Sequence, residues 1–168
     1  MPRLPFDPID EARRQWDRRW GGEAVPAMAA VTSIMRAERI LMARLNERLL
    51  AFDLTFPRYE ALMLLLYTRR GELPLGKVSA RLQVHRASVT NVVDKLAASG
   101  FVERVPHDGD RRAVLARITD AGRRTAEEAT AALHADGFGM SPLGDADCED
   151  LFRLLRPLRE SAGDFGTA

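Results

Sequence analysis

The chain has 168 residues, of which 46% are hydrophobic and 29% charged, and its formal net charge is +1. This length and apolar content predict one globular domain with added arms and exclude a disordered or fibrous protein. The N-terminus shows no signal pattern and no apolar run is long enough to cross a bilayer, so we expect a cytoplasmic protein without membrane contact.

The first helix is predicted from Pro8 to Trp20. Asp7 can cap this helix, Pro8 suits its first position, and Gly21 ends it. Trp16 and Trp20 lie on one stripe of a helix that is otherwise rich in charged residues. We therefore expect this aromatic edge to dock against another surface.

Two further helices are predicted before residue 70. A long amphipathic helix over 26–52 exceeds the usual length in globular proteins, which indicates that part of its apolar surface is buried against another subunit. A nearly all-apolar helix follows over 56–68, with Thr55 as its N-cap.

The segment 75–99 is predicted to form two helices, 75–82 and 86–99, joined by a tight turn. The apolar residues of the second helix recur at the 3.6-residue period and face a core: Val89, Val92, Val93 and Leu96. Its opposite face carries small and polar residues: Ala87, Ser88, Thr90, Asn91, Asp94 and Lys95. Such a face can enter a DNA major groove, because it lacks bulk and its side chains reach base edges and phosphates.

A β-hairpin is predicted after this helix-turn-helix, and it is the only sheet that we expect. Its strands, 101–105 and 113–118, are rich in β-branched and apolar residues, and Asp108-Gly109 supplies a turn between them. Two more helices follow, over 120–134 with Thr119 as N-cap and over 145–160, where Pro157 is expected to kink or fray the helix.

Charge is divided unevenly along the chain. Residues 69–124 hold 12 basic and 6 acidic side chains, whereas residues 125–168 hold 3 basic and 9 acidic ones. The basic excess coincides with the helix-turn-helix and the hairpin, as phosphate neutralisation requires, and the acidic part is expected to stay off the duplex. A solvated charged surface is the alternative explanation.

Several short motifs occur in order along the chain. They are Leu54-Thr55, Val93-Asp94-Lys95-Leu96, Gly100-Phe101-Val102-Glu103-Arg104, Asp110-Arg111-Arg112 and Ile118-Thr119-Asp120-Ala121-Gly122. Together they resemble the MarR (multiple antibiotic resistance regulator) family over roughly residues 28–160. The resemblance implies a mainly α fold: a winged helix-turn-helix with a two-stranded β-hairpin wing and N- and C-terminal dimerisation helices. It also implies a division into an extra N-terminal helix (1–24), a dimerisation region (25–54 and 120–168) and a DNA-binding domain (55–119).

The same resemblance implies a homodimer that binds a pseudo-palindromic operator, usually represses, needs no cofactor and is released by a small anionic aromatic or metabolite ligand. It places the following residues at the DNA: Arg86, Ser88, Thr90, Asn91 and Lys95 at the major groove, and Arg111 and Arg112 at the wing. Asp94 is expected to brace the wing through an arginine. His85 stands where the family often has a serine, so the N-cap of this helix is expected to be weakened.

The N-terminal helix resembles the urate-responsive branch of the family, in which a tryptophan, an acidic residue and two arginines surround the ligand. The matching positions here are Trp16, Glu60, Arg104 and Val92. Because valine cannot pair with an anion and glutamate replaces the usual aspartate, the resemblance supports a ligand pocket more than it supports urate.

Other classes of function have less support. The three histidines are scattered without the spacing of a zinc site or a catalytic triad, so neither a metal site nor an enzyme is expected. Cys148 lies among the acidic residues of 145–150, whose charge disfavours a reactive thiolate, so a structural thiol is favoured over a redox switch. A small-molecule-binding protein of the same fold without specific DNA recognition stays an alternative.

Overall fold

The computed structural model describes residues 3–107 and 110–166, and for 110–113 it describes the backbone alone. In chain order the helices are α1 Pro8–Trp20, α2 Val25–Leu49, α3 Phe56–Leu66, α4 Leu75–Leu82, α5 Arg86–Ala98, α6 Asp120–Ala135 and α7 Asp145–Ser161. The strands are β1 Glu72–Pro74, β2 Val102–His107 and β3 Asp110–Ile118. Within the described part of the chain, no helix is long and apolar enough to span a membrane.

The chain divides into two compact units, with the boundary after Arg44. In the first unit, α1 begins where Asp7 accepts a hydrogen bond from the backbone N–H of Ile9 at 2.8 Å, and it ends at Gly21 with φ +83°. The predicted first helix and both of its end signals are confirmed. The rings of Trp16 and Trp20 lie 4.8 Å apart between centroids, and Trp20 remains 69% exposed.

Helix α2 carries large apolar side chains that stay exposed, among them Val31, Ile34, Met35 and Ile40. Its last turn belongs to the second unit, where Leu45 and Leu49 are buried. The helix ends three residues earlier than predicted, because Leu50–Phe52 form a 3₁₀ turn that stops at Asp53 in the left-handed conformation.

Helix α3 starts where it was predicted to start, but its first backbone N–H is satisfied in another way. Thr55 occupies the N-cap position, but its side chain makes no capping hydrogen bond. Asn46 on α2 supplies the acceptor instead, since its side-chain oxygen lies 2.7 Å from the backbone nitrogen of Phe56. The predicted N-cap position of Thr55 is confirmed, but the acceptor for the free backbone N–H comes from the end of α2, which lies close enough to supply it.

Helix α3 lies at the centre of the second unit and contacts α4, α5, α6 and the sheet. Leu62 and Leu65 of this helix are fully buried, as are Leu96 of α5 and Leu133 of α6. The Tyr59 hydroxyl lies 2.9 Å from that of Thr130, which gives both partly buried polar groups a hydrogen-bond partner.

The sheet has three antiparallel strands in the order β1-β3-β2. The wing strands β2 and β3 are confirmed, and they are longer than predicted, reaching His107 and starting at Asp110. The expectation of no sheet beyond the hairpin was wrong, because β1 pairs along β3 with Glu72 opposite Arg117. Three residues that include a proline show no alternation of apolar and polar residues from which a strand could be predicted.

A close approach of two backbones joins the end of α5 to the start of α6. The Thr119 hydroxyl accepts a hydrogen bond from the backbone N–H of Gly122 and donates one to the carbonyl of Gly100, so the predicted N-cap is confirmed. A Cβ on Gly122 would lie 2.1 Å from the carbonyl oxygen of Phe101. Glycine is therefore required here by space.

At the C-terminal end, α7 runs through Pro157 to Ser161 and exposes four large apolar side chains: Leu151, Phe152, Leu154 and Leu158. The chain then turns back on this helix, where Arg159 pairs with Asp164 at 2.7 Å and the guanidinium of Arg156 lies 4.9 Å from the ring centre of Phe165. The apolar residues of α7 therefore face solvent in the single chain.

Candidate nucleic-acid interface

Helix α5 presents the two faces that its sequence predicts. One face is buried: at most 1% of the surface of Val89, Val93 and Leu96 is exposed, and Val92 is half-buried beside them. The opposite face is exposed along its whole length: Ala87, Ser88, Thr90, Asn91, Asp94 and Lys95. The 3.6-residue period thus separates an anchoring face from a polar face that is free to contact a partner.

The turn between α4 and α5 is held by hydrogen bonds within itself. Gln83 adopts the left-handed conformation with φ +52°, and the hydroxyl of Ser79 donates to the carbonyl of Val84 at 2.7 Å. The backbone N–H of Val84 donates in return to the carbonyl of Ser79 at 3.3 Å. The turn therefore fixes where α5 begins.

His85 caps α5 through its imidazole ring. Its Nδ1 atom accepts a hydrogen bond from the backbone N–H of Ala87 at 3.3 Å, which satisfies one of the free donors at the helix start. The predicted weakening of this cap thus has a structural counterpart in a long hydrogen bond, but the capping position is not left empty. Sequence reasoning did not assign this side chain a role at the interface.

The polar groups on the exposed face differ in what they can offer. The Thr90 hydroxyl donates to the carbonyl of Arg86 at 3.1 Å, so it presents an oxygen lone pair and a methyl group outward. Ser88, Asn91 and the ammonium of Lys95 make no side-chain hydrogen bond or ion pair with another described residue. These three keep their full hydrogen-bonding capacity for a partner.

The two ends of α5 lie close to neighbouring elements. The Arg86 guanidinium lies beside the start of α4, 3.7 Å from where a Cβ on Gly76 would stand. At the other end, the Ser99 hydroxyl donates to the carboxylate of Asp53 at 2.6 Å, and Arg58 donates to the Asp53 carbonyl at 3.0 Å. The Ser99–Asp53 hydrogen bond holds the C-terminal end of the helix, and the polar face in its middle stays exposed.

An ion pair joins α5 to the wing. A carboxylate oxygen of Asp94 lies 3.0 Å from the guanidinium of Arg104 on β2. The expectation that Asp94 braces the wing through an arginine is therefore matched by a contact, and Arg104 supplies the guanidinium. Arg104 is also one of the predicted ligand residues, so both roles fall on one side chain.

The Asp110-Arg111-Arg112 motif, predicted as the tip of the wing, forms the first three residues of β3. The side chains of these residues, like the turn at Asp108 and Gly109, lie outside the described part of the structure. Basic side chains that the prediction did not include are exposed on α4, namely Lys77 and Arg81. Their positive charge adds to the basic excess of residues 69–124.

The predicted ligand residues are distributed over the chain. Trp16 is half-buried in the first unit, whereas Glu60 on α3 and Arg104 on β2 belong to the second. Burial raises the pKa of the Glu60 carboxyl above its ordinary value. Cys148 is half-buried on α7. No group of three potential metal-binding side chains comes together among the described residues.

Comparison with known proteins shows which family the chain resembles. The model of the MarR family matches residues 54–114. Sco5413, a MarR family transcriptional regulator from Streptomyces coelicolor, is 48% identical, with a TM-score of 0.80 over 85% of this chain and 99% of its own.

Two further proteins resemble part of the chain or share its fold. YkoM of Bacillus subtilis, an uncharacterised helix-turn-helix transcriptional regulator, is 41% identical over 39% of this chain and 42% of its own length. The chain thus matches less than half of that curated relative. A MarR variant from E. coli in complex with operator DNA shares the fold, with a TM-score of 0.71 and 21% identity over 81% of this chain and 97% of its own. The chain belongs to the MarR family of winged-helix, DNA-binding transcriptional regulators.

Proposed function

We propose that the chain is a homodimeric repressor that binds a pseudo-palindromic operator and leaves it when a small ligand binds. The observation that carries this proposal is the exposed face of α5, on a helix anchored by three buried residues: small side chains lie there beside Ser88, Asn91 and Lys95, whose side chains make no hydrogen bond or ion pair with another described residue. A recognition helix in the major groove needs this combination, because base edges are read by side chains that a bulky neighbour would hold away.

The proposed DNA contacts follow from that face. Ser88, Thr90, Asn91 and Lys95 would lie in the major groove with Arg86 at its edge, and the wing arginines Arg111 and Arg112 would reach the flanking minor groove or its phosphates. The basic excess of 69–124 supports this arrangement, because cations near phosphates release counterions from the duplex. In this proposal residues 55–119 form the DNA-binding domain.

Exposed apolar side chains support the proposed dimer. Ile34 and Met35 on α2 and Leu154 and Leu158 on α7 are exposed in the single chain, and leaving many such side chains in water is unfavourable. Residues 25–54 and 120–168 would therefore form the subunit interface, with 1–24 as an added helix. Two recognition helices related by a two-fold axis would then enter successive major grooves, about 34–36 Å apart.

An aromatic anion is the effector class that we propose, on the resemblance of Trp16, Glu60 and Arg104 to a ligand-binding set. The ion pair of Arg104 with Asp94 supplies a mechanism for release. A ligand carboxylate that takes the Arg104 guanidinium would free Asp94, and the wing would lose its contact with the recognition helix. Titration of aromatic acids and purines, followed by tryptophan fluorescence and by DNA release, tests this step.

The DNA-binding proposal is tested by selecting an operator from a pool of random duplexes with the wild-type protein and then measuring two variants on it. Asn91→Ala should cost about 1–3 kcal/mol of binding free energy and relax specificity at particular base pairs, while Arg111→Ala should reduce the salt slope by about 1. Arg124→Ala, an exposed arginine on α6, is the matched control for loss of charge. Wild-type affinity and salt slope in both interface variants would refute the assignment of these residues.

The alternative function is a small-molecule-binding protein of the same fold without specific DNA recognition. The selection distinguishes the two functions directly. A wild-type protein that enriches no sequence from the pool, but whose tryptophan fluorescence responds to a ligand, supports the alternative.

A further inference from the structure

The imidazole of His85 has two nitrogens with different surroundings. Nδ1 accepts the hydrogen bond from the backbone N–H of Ala87 and therefore carries no proton. In the neutral ring the single proton then resides on Nε2, because the partner of one nitrogen decides which tautomer is present. The cap thus turns Nε2 into a hydrogen-bond donor.

This donor is available to a partner. His85 is exposed, and its Nε2 makes no hydrogen bond with another residue in the described part of the chain. The residues beside it on the exposed face, Ala87 and Ser88, are small and do not cover the ring. The turn at Gln83 and the Ser79 hydrogen bond to Val84 fix the backbone from which the ring projects.

We propose that His85 reads the operator sequence, with Nε2–H donating to the N7 atom of a guanine in the major groove. The inference rests on the proposed DNA-binding function. The N-terminal residues of a recognition helix are the ones that meet base edges in helix-turn-helix complexes. Guanine fits a lone N–H donor because both of its major-groove atoms accept, whereas adenine places an amino donor beside N7.

A substitution at His85 can remove the proposed DNA contact and still keep the N-cap of α5. Serine at this position keeps an N-cap acceptor and removes the imidazole donor, so His85→Ser should melt at the wild-type temperature. His85→Ala removes both the acceptor and the donor. His134→Ser makes the same chemical change in the last turn of α6 and is the matched control.

The decisive experiment uses the selected operator with each guanine replaced in turn by 7-deazaguanine, which lacks the N7 acceptor. The wild type and His134→Ser should lose about 2- to 12-fold in affinity at one symmetry-related pair of guanines, as expected for one neutral hydrogen bond. His85→Ser should bind the unmodified operator with a similar loss and show no further loss at that pair. Ring ¹⁵N spectra of the free protein should show Nδ1 without a proton at His85.

Three results would overturn the proposal. The first is a His85→Ser variant that keeps the wild-type pattern of sensitivity to 7-deazaguanine. The second is an affinity difference between the wild type and His85→Ser that is sensitive to neutral methylphosphonate linkages in the duplex and not to 7-deazaguanine. Such a result would place the ring at a phosphate. The third is a proton on Nδ1. A wild-type protein that prefers no sequence contradicts the proposed function itself, and this inference falls with it, whereas each of the three results leaves specific DNA binding intact.

Discussion

The carboxylate of Asp94 and the guanidinium of Arg104 lie 3.0 Å apart and connect the recognition helix α5 to the wing strand β2. Their side chains are 54% and 38% exposed, so water competes for both charges, and such surface ion pairs contribute only about 0–1 kcal/mol to stability. The pair therefore matters more for the position of the wing than for the stability of the fold.

Replacing Arg104 by glutamine should leave the melting temperature almost unchanged and lower operator affinity several-fold, because the wing loses its fixed position beside α5. Fluorescence anisotropy with labelled operator measures the affinity. The double variant Asp94→Asn with Arg104→Gln should have the same operator affinity as the weaker-binding of the two single variants, since each substitution alone already breaks the same ion pair. Arg117→Gln, which breaks the β3 to β1 ion pair with Glu72, is the control for the loss of an arginine from the sheet. Fully additive losses in the double variant would contradict the predicted coupling.

Replacing Gly122 by alanine should destabilise the protein by about 1–3 kcal/mol or more, because the new methyl group overlaps a backbone carbonyl that cannot rotate away. The overlap is with the Phe101 carbonyl oxygen, 2.1 Å from the added Cβ. Urea denaturation gives the free energy of unfolding. Gly76→Ala is the control, since a Cβ there meets only ordinary contacts near α4's start. Equal stabilities for the two variants would show that the junction between α5 and α6 can adjust.

Stability should depend on pH through Glu60. Burial raises the pKa of its carboxyl in the folded protein above the ordinary value of 4.5, so the folded state holds this proton more tightly than the unfolded state does. Ionising the half-buried Glu60 carboxyl lowers the free energy of unfolding. This loss of stability is absent below the ordinary pKa, grows as the pH rises through the folded pKa, and is constant above it. The stability of Glu60→Gln relative to the wild type should therefore increase from pH 4 to neutral pH. Melting curves of the two proteins across this range test the sign, and a difference independent of pH would contradict it.

A charge on the exposed apolar face of α7 should break the proposed dimer. Leu154 is 76% exposed in the single chain, and Leu154→Glu would place a carboxylate in an apolar interface. Sedimentation should show a monomer with an unchanged helical circular dichroism spectrum and a weakened operator affinity. Tyr67→Glu, at an exposed aromatic residue outside the proposed interface ranges, should remain a dimer. A dimeric Leu154→Glu variant would place the interface elsewhere.

The sequence predicts those parts of the fold that local chemistry decides. Helix α4 has the predicted bounds, and the caps Asp7 and Thr119 act as their residue types indicate, because the hydrogen bond of an N-cap reaches only two or three residues along the chain. The 3.6-residue period also separates the buried valines of α5 from its polar face.

What sequence reasoning missed depends on residues distant in the chain. Asn46 replaces Thr55 at the start of α3 only because the end of α2 lies next to it. Strand β1 forms by pairing with β3, where Glu72 lies opposite Arg117, a residue 45 positions later in the chain. At the interface, the direction of the His85 ring cannot be read from the sequence, because histidine is an unusual N-cap and its role depends on which nitrogen the backbone engages.

The strand order β1-β3-β2 has a consequence for how the protein is made. During synthesis from the N-terminus, β1 leaves the ribosome long before β3, its sole neighbour in the described sheet. The sheet closes only when residues up to Ile118 are available, so its assembly follows that of the local helices and is slowed by the entropy of closing this long loop. The proposed DNA contact of the wing is therefore complete only after the middle strand of the sheet, β3, has been synthesised.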